Sequence, residues 1–222
     1  MAGQNIVLNI PTAKEYNVDH FFNIAKSIVL VKDLTDVIDF DLINSEFEKL
    51  TFKKNISNGI SNEMFFFDKE EFTEIKSKLE SECESYLRNA HQVIDFENLR
   101  ITNSWGNITG PGESHHDHSH PFSVVSGTLY LDDNPDNLNL CLDTYSPDIP
   151  YFLYKKTSFI SLKRLIGEEN NLKNHMVLFL SNTGHHVETT ESTIPRRSIA
   201  FNTFWKGLIG KAGADLGSIE IN

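Results

Sequence analysis

A chain of 222 residues, 39% hydrophobic and 23% charged, suits one globular domain with a sizeable core. Its formal charge of −11 disfavours a nucleic-acid backbone as main partner, because binding phosphates requires a basic footprint. No apolar run reaches membrane-span length and the first residues lack the basic and apolar segments of a signal peptide, so a cytoplasmic protein without membrane attachment is expected.

In chain order, "QNIVLNI" at 4–10 alternates Ile6, Leu8 and Ile10 and predicts a strand, as does "SIVLVK" at 27–32. Residues 12–66 show no clear period, although Asn58-Gly59 has turn chemistry. Residues 69–93 predict a helix packed on a sheet: Phe72, Ile75, Leu79, Tyr86, Ala90 and Val93 recur at helical spacing, and Asp68 with Glu71 resembles a capping box. From about 100 the texture turns to short β-type runs: "LRITNSWGNI", "SHHDHSH", "SVVSGTLYLD", "LNLCLD", "MVLFLS", "HHVET" and "RRSIAFNTFW". Strands at this density predict a barrel or sandwich. A long excursion at about 144–173 carries one further β-type run, "YFLYKKTSFISL". The chain therefore reads as a single domain, 1–222, with strands and a supporting helix in 1–99 and a β core in 100–222. Cys83 and Cys141 belong to no short-spacing thiol motif and read as buried thiols, so a zinc-thiolate site is not expected.

Six of the nine histidines fall in two clusters, 115–120 and 185–186, that bracket the β region. By strand alternation His118, His120 and His116 share one face and His115 and Asp117 the other, so the two sets are not expected to meet at one metal. Arg196, Ser198, Ala200 and Asn202 share a face of the last strand; Val124, Ser126, Thr128 and Tyr130 share a face of an earlier one. Imidazole suits iron, zinc, copper and nickel. An arginine beside a hydroxyl is a carboxylate receptor, because guanidinium donates two parallel hydrogen bonds. A metal with a carboxylate receptor beside it is the combination that holds a 2-oxo acid.

The stretch "SWGNITGPGESHHDHSHPFSVVSGTLYLD" resembles the signature of the iron(II)/2-oxoglutarate-dependent oxygenases of bacteria and their phages. Trp105, Asn107, Gly112, His118, His120, Pro121, Ser123, Ser126, Gly127 and Tyr130 carry the likeness. Downstream, Phe179, Ser181, His185 and Val187, then Arg196, Ser198, Phe201 and Asn202, continue it in order, with Leu180 where the family has proline. The resemblance implies a mainly β fold, a double-stranded β-helix of the jelly-roll or cupin-like kind, here with an N-terminal α/β extension and one long helix on the sheet. It also implies Fe(II), 2-oxoglutarate as co-substrate, dioxygen, and hydroxylation of a small molecule or a protein side chain. Carried over, Arg196 would bind the distal carboxylate of 2-oxoglutarate, Ser198 and Tyr130 would support it, and Asn107 would line the pocket. Two ligand sets stay open: His118, His120 and His185, which match the fuller motif, and His115, Asp117 and His185, which match the commoner two-histidine, one-carboxylate chemistry.

Two rival readings remain. "GESHHDHSH" matches the Gly-x5-His-x-His opening of cupin metal enzymes that do not use 2-oxoglutarate, but Ser123, Val124 and Val125 stand where their glutamate is expected. A non-catalytic metal-binding β-barrel is the other. The bland alternatives at single residues are an ion pair of Arg196 with Glu188 or Glu191 and a core role for Tyr130. Nothing in the sequence signals an oligomeric state.

Overall fold

The computed structural model describes residues 20–24, 27–144, 158–210 and 217–222. The strand expected at 4–10 and the first part of the run at 151–162 lie outside these residues. Thirteen strands are described. They are β1 (His20–Ile24), β2 (Ser27–Asp33), β3 (Phe52–Lys54), β4 (Gly59–Ser61), β5 (Phe96–Thr109), β6 (His115–His118), β7 (Val125–Tyr130), β8 (Leu140–Asp143), β9 (Phe159–Ser161), β10 (His175–Leu180), β11 (His185–Val187), β12 (Arg196–Ile209) and β13 (Ile219–Ile221). The helices are α1 (Phe40–Phe47), α2 (Thr73–Ala90) and α3 (Leu162–Ile166).

The strands form two antiparallel sheets. The larger runs β1-β2-β10-β7-β12-β5-β4-β3, with β13 on β12; the smaller runs β6-β11-β8-β9. From β5 to β12 the chain passes repeatedly between them, which makes a double-stranded β-helix. The N-terminal part adds β1 to β4 to the same larger sheet. No helix among the described residues is long and apolar enough to cross a membrane.

Alternation along each strand of the larger sheet sorts two cores. Val125, Leu129, Leu178, Ile199 and Phe201 point to the outer face, where α1 and α2 bury Ile43, Phe47, Ile75, Leu79 and Tyr86 against them. Tyr130, Val177 and Phe179 point inward and pack on Leu140, Leu142 and Val187 of the smaller sheet. Gly127 faces outward opposite Phe201, and a Cβ there would stand 2.2 Å from the phenylalanine ring. Gly127→Ala should therefore lower stability by about 1–3 kcal/mol through overpacking, read as a reduced denaturation midpoint at unchanged m-value.

The helix expected over 69–93 begins later. A 3₁₀ turn at Glu70–Phe72 precedes α2, whose N-cap is Phe72 with no side-chain cap. The capping-box reading of Asp68 is corrected: its carboxylate pairs with Lys76 Nζ at 2.5 Å. Two charged residues of α2 have structural work: Glu80 and Glu84 accept hydrogen bonds from the backbone N–H of Ile101 and Leu99, on a stretch of β5 whose far side has no strand partner among the described residues. In the unperiodic region the sequence missed α1, whose cap Asp39 accepts from Leu42 N–H. The described part of the 144–173 excursion supplies β9 and α3.

Candidate active site

The site forms where the inner face of the larger sheet meets the ends of β6 and β11. His118 closes β6 and pairs in register with His185, the first residue of β11. His120 lies in the following turn, anchored by its N–H donating to the Ser181 carbonyl. The ligating nitrogens of His118, His120 and His185 all lie within 4.8 Å of one another. Nε2 of His120 is 3.2 Å from Nε2 of His185. Two nitrogens bound at about 2.1 Å to one ion, at angles between octahedral and tetrahedral, stand roughly 3.0–3.4 Å apart, so the spacing fits a shared cation. Phe179 packs on His185 at 4.7 Å and Trp105 on His120 at 5.8 Å, which limits the freedom of both rings.

The hydrogen bonds behind His118 and His185 assign their tautomers. Nδ1 of His118 lies 2.8 Å from the carbonyl of His116, and Nδ1 of His185 lies 3.1 Å from that of Thr183. A carbonyl only accepts, so each Nδ1 carries the proton and each Nε2 the lone pair. Nδ1 of His120 meets the carboxamide of Asn202 at 3.2 Å, and that carboxamide lies 2.7 Å from Ser126 Oγ, itself 2.8 Å from Ser181 Oγ. Here the carboxamide nitrogen faces the imidazole and its oxygen accepts from Ser126 Oγ; a half-turn of the carboxamide would let the oxygen accept from Nδ1–H of His120 and give that ring the same tautomer. With that half-turn three lone pairs converge, an arrangement that repels unless a cation lies among them. Asn202→Leu should weaken divalent metal affinity about 10–100-fold, measured by titration with Ni(II), while Asn202→Asp, which keeps the acceptor, should retain most of it.

Burial, then the neighbouring His118 and His120, hold the His185 pKa well below the ordinary imidazole value. The folded state thus binds fewer protons than the unfolded one once pH drops below about 6.5. The metal-free protein should lose stability from that pH downward, and above it the contribution should be constant. Melting temperatures at several pH values, compared with His185→Gln, should show a flatter slope in the variant.

The second half of the site crosses three adjacent strands. Ser198 of β12 stands opposite Asn107 of β5 on one side and Tyr130 of β7 on the other, and Arg196 stands opposite Thr109. All five side chains are buried. Among the described residues Arg196 Nε, Asn107 Oδ1 and Thr109 Oγ1 have no hydrogen-bond partner, and Tyr130 Oη has none beyond the Arg196 guanidinium. The Arg196 guanidinium lies 5.0 Å above the Tyr130 ring and makes no ion pair among the described residues, so the pairing with Glu188 or Glu191 is not found. A buried guanidinium with no anion is costly, and beside the orphaned oxygens of Asn107 and Thr109 it marks a place for an anionic ligand. Arg197, one position along, faces outward and pairs with Asp132 at 2.5 Å and with Glu48. Thr109 carries no sequence signal for its position beyond its register, whereas Asn202 stood in the closing Arg-x-Ser-x-x-Phe-Asn motif without an assigned role.

The alternation expected along 115–120 is corrected. Four residues of β6, His115 to His118, stand against three of β11, His185 to Val187, so a bulge breaks the period. His115 is thereby turned to within 4.7 Å of the His118 ring, and the nitrogens of His115, His116 and His118 form a second group within 4.8 Å. Asp117 sits on the bulge, is exposed, and joins no group of metal-ligating atoms among the described residues.

Residues 103–202 match the family model described as "Putative 2OG-Fe(II) oxygenase". No curated protein matches the sequence. Among solved structures, the carbocyclase SnoK from nogalamycin biosynthesis aligns with a TM-score of 0.54 and 9% identity, over 79% of this chain and 78% of that one. HygX from Streptomyces hygroscopicus, solved with nickel, 2-oxoglutarate and hygromycin B, aligns at 0.52 and 12% identity, over 79% and 82%. The epimerase SnoN, also from nogalamycin biosynthesis, aligns at 0.50 and 8% identity, over 86% and 83%. These likenesses show the fold. The matched segment, 100 of the chain's 222 residues, spans every side chain of the cluster just built, from Asn107 to Asn202, and over that segment the chain is similar to the iron(II)- and 2-oxoglutarate-dependent oxygenases.

Proposed function

We propose that His118, His120 and His185 hold the iron, that Arg196 anchors the distal carboxylate of 2-oxoglutarate with Ser198, Tyr130 and Asn107 around it, and that the enzyme hydroxylates a small molecule or a protein side chain in the cytoplasm. The observation that carries this reading is the convergence of ring nitrogens from His118, His120 and His185 within 4.8 Å of one another beside a buried arginine whose Nε has no hydrogen-bond partner among the described residues. Iron(II) with 2-oxoglutarate and dioxygen supplies an oxidant able to break a C–H bond, at the expense of converting the oxo acid to succinate and carbon dioxide. The chain's own contribution is position. Carbonyls set the tautomers of His118 and His185, Arg196 fixes one end of the co-substrate, and the apolar wall of Val177 and Phe179 excludes water. The commoner set with His115 and Asp117 receives no support from the position of Asp117 on the exposed bulge. Both cysteines are free thiols, in keeping with a reducing compartment.

Anaerobic titration of the iron-loaded protein with 2-oxoglutarate tests the proposal. A metal-to-ligand charge-transfer band should appear and saturate, and admission of oxygen should yield succinate. No band and no succinate would overturn the reading in favour of a metal-binding barrel. A cupin-type enzyme would bind iron but give no band with the oxo acid.

A further inference from the structure

On the opposite face of the smaller sheet the alternation that turns His185 inward turns His186 outward. In β11 and β8, His185 stands opposite Leu142 and Val187 opposite Leu140, all toward the inner core, while His186 stands opposite Cys141. Glu188 follows directly after β11. Cys141 Sγ, a His186 ring nitrogen and a Glu188 carboxylate oxygen all lie within 4.8 Å of one another. We propose that these three side chains form a second metal site, distinct from the histidine cluster, that takes a borderline-soft divalent cation of the zinc type.

The donor set selects the ion. Thiolate, imidazole and carboxylate together suit zinc, which takes three protein ligands and a water in a tetrahedral shell. Donors at about 2.0–2.3 Å from such an ion stand roughly 3.3–3.8 Å apart, and Glu188 is exposed and free to turn the remaining distance. Two observations besides the grouping point to a cation. Nδ1 of His186 is buried with no hydrogen-bond partner, although its ring is fixed against Phe159 at 4.5 Å. His186 and Glu188 also border a cavity of about 1060 Å³, which supplies the route for an ion and its water. Without a cation the Cys141 thiol stays protonated, pushed up to about 12 by burial and by the Glu188 carboxylate that accepts its hydrogen bond. Binding therefore releases the thiol proton to solvent. A cation here would clamp β8 to β11 from outside, and β11 is the strand that presents His185 inside.

The site escaped the sequence because its thiol and its imidazole lie far apart in the chain; only strand pairing joins them. The test is metal-stripped full-length protein titrated with Co(II) as probe. Wild type should take up two equivalents, one of them accompanied by thiolate-to-cobalt charge-transfer absorption. Cys141→Ser and His186→Phe should each reduce uptake to one equivalent and remove that absorption, while Cys83→Ser should keep both. In His185→Gln the absorption should persist, so failure of the iron-site proposal leaves this one standing. Uptake of a single equivalent by wild type with no thiolate absorption, or absorption that survives in Cys141→Ser, would overturn it. Two substitutions on different strands guard against one variant failing to fold.

Discussion

His185→Ala should reduce iron affinity by more than about 100-fold and abolish succinate formation. Replacing partners that merely orient metal ligands already costs 10–100-fold, and His185 is assigned as a ligand itself. Among the three imidazoles it is the most deeply buried, 6% exposed, and its Nε2 stands 3.2 Å from that of His120. Its removal leaves His118 and His120, two half-buried rings on one segment of chain, with nothing opposite them from β11. Titration with Ni(II) or Fe(II) gives the affinity directly and does not depend on knowing the substrate. His185→Gln, closer in volume, separates loss of the ligand from loss of packing against Phe179: both variants should lose the metal, and only the alanine should show a clearly lower melting temperature. Metal binding near the wild-type level in both variants would remove His185 from the site.

Arg196→Ala should raise the dissociation constant for 2-oxoglutarate by about 10²–10⁴-fold and leave iron binding close to wild type. Breaking a buried charge pair costs about 3–5 kcal/mol, which converts to that range. The guanidinium is 3% exposed and already desolvated in the free protein, so the ligand carboxylate meets a donor that needs little further reorganisation. Arg196→Lys should recover only part of the affinity, since a single ammonium cannot donate two parallel hydrogen bonds. Isothermal titration of the metal-loaded protein with 2-oxoglutarate separates these outcomes. Unchanged affinity in Arg196→Ala would remove Arg196 from the co-substrate site. Stability adds a further check. With an uncompensated buried charge removed, the alanine variant should be no less stable than wild type in the absence of co-substrate, whereas an arginine held in a structural ion pair would show the opposite.

Much of this was legible along the chain because the chemistry is local in part. Period-2 alternation in "RRSIAFN" separates Arg196, facing the cavity, from Arg197, paired with Asp132 on the outside. The same alternation places Tyr130 inward on β7. Where the backbone leaves the regular pleat, the reasoning stops. The bulge between His115 and His118 moves one imidazole to the other side, and nothing in "SHHDHSH" announces it. The start of α2 was misplaced for a related reason: Asp68 has the chemistry of a cap, but the chain there takes a 3₁₀ turn and tertiary pairing with Lys76 uses the carboxylate.

The sequence by itself determined that a β-rich chain carries two histidine clusters and an Arg-x-Ser pair, because residue type and strand period are properties of neighbours. Only the tertiary structure decided which imidazoles meet, that Asn202 reaches His120, that Thr109 borders the site, and that Cys141 lies opposite His186. Those relations depend on strand register and on one bulge, which are set by pairing between segments tens of residues apart and leave no mark on either segment alone.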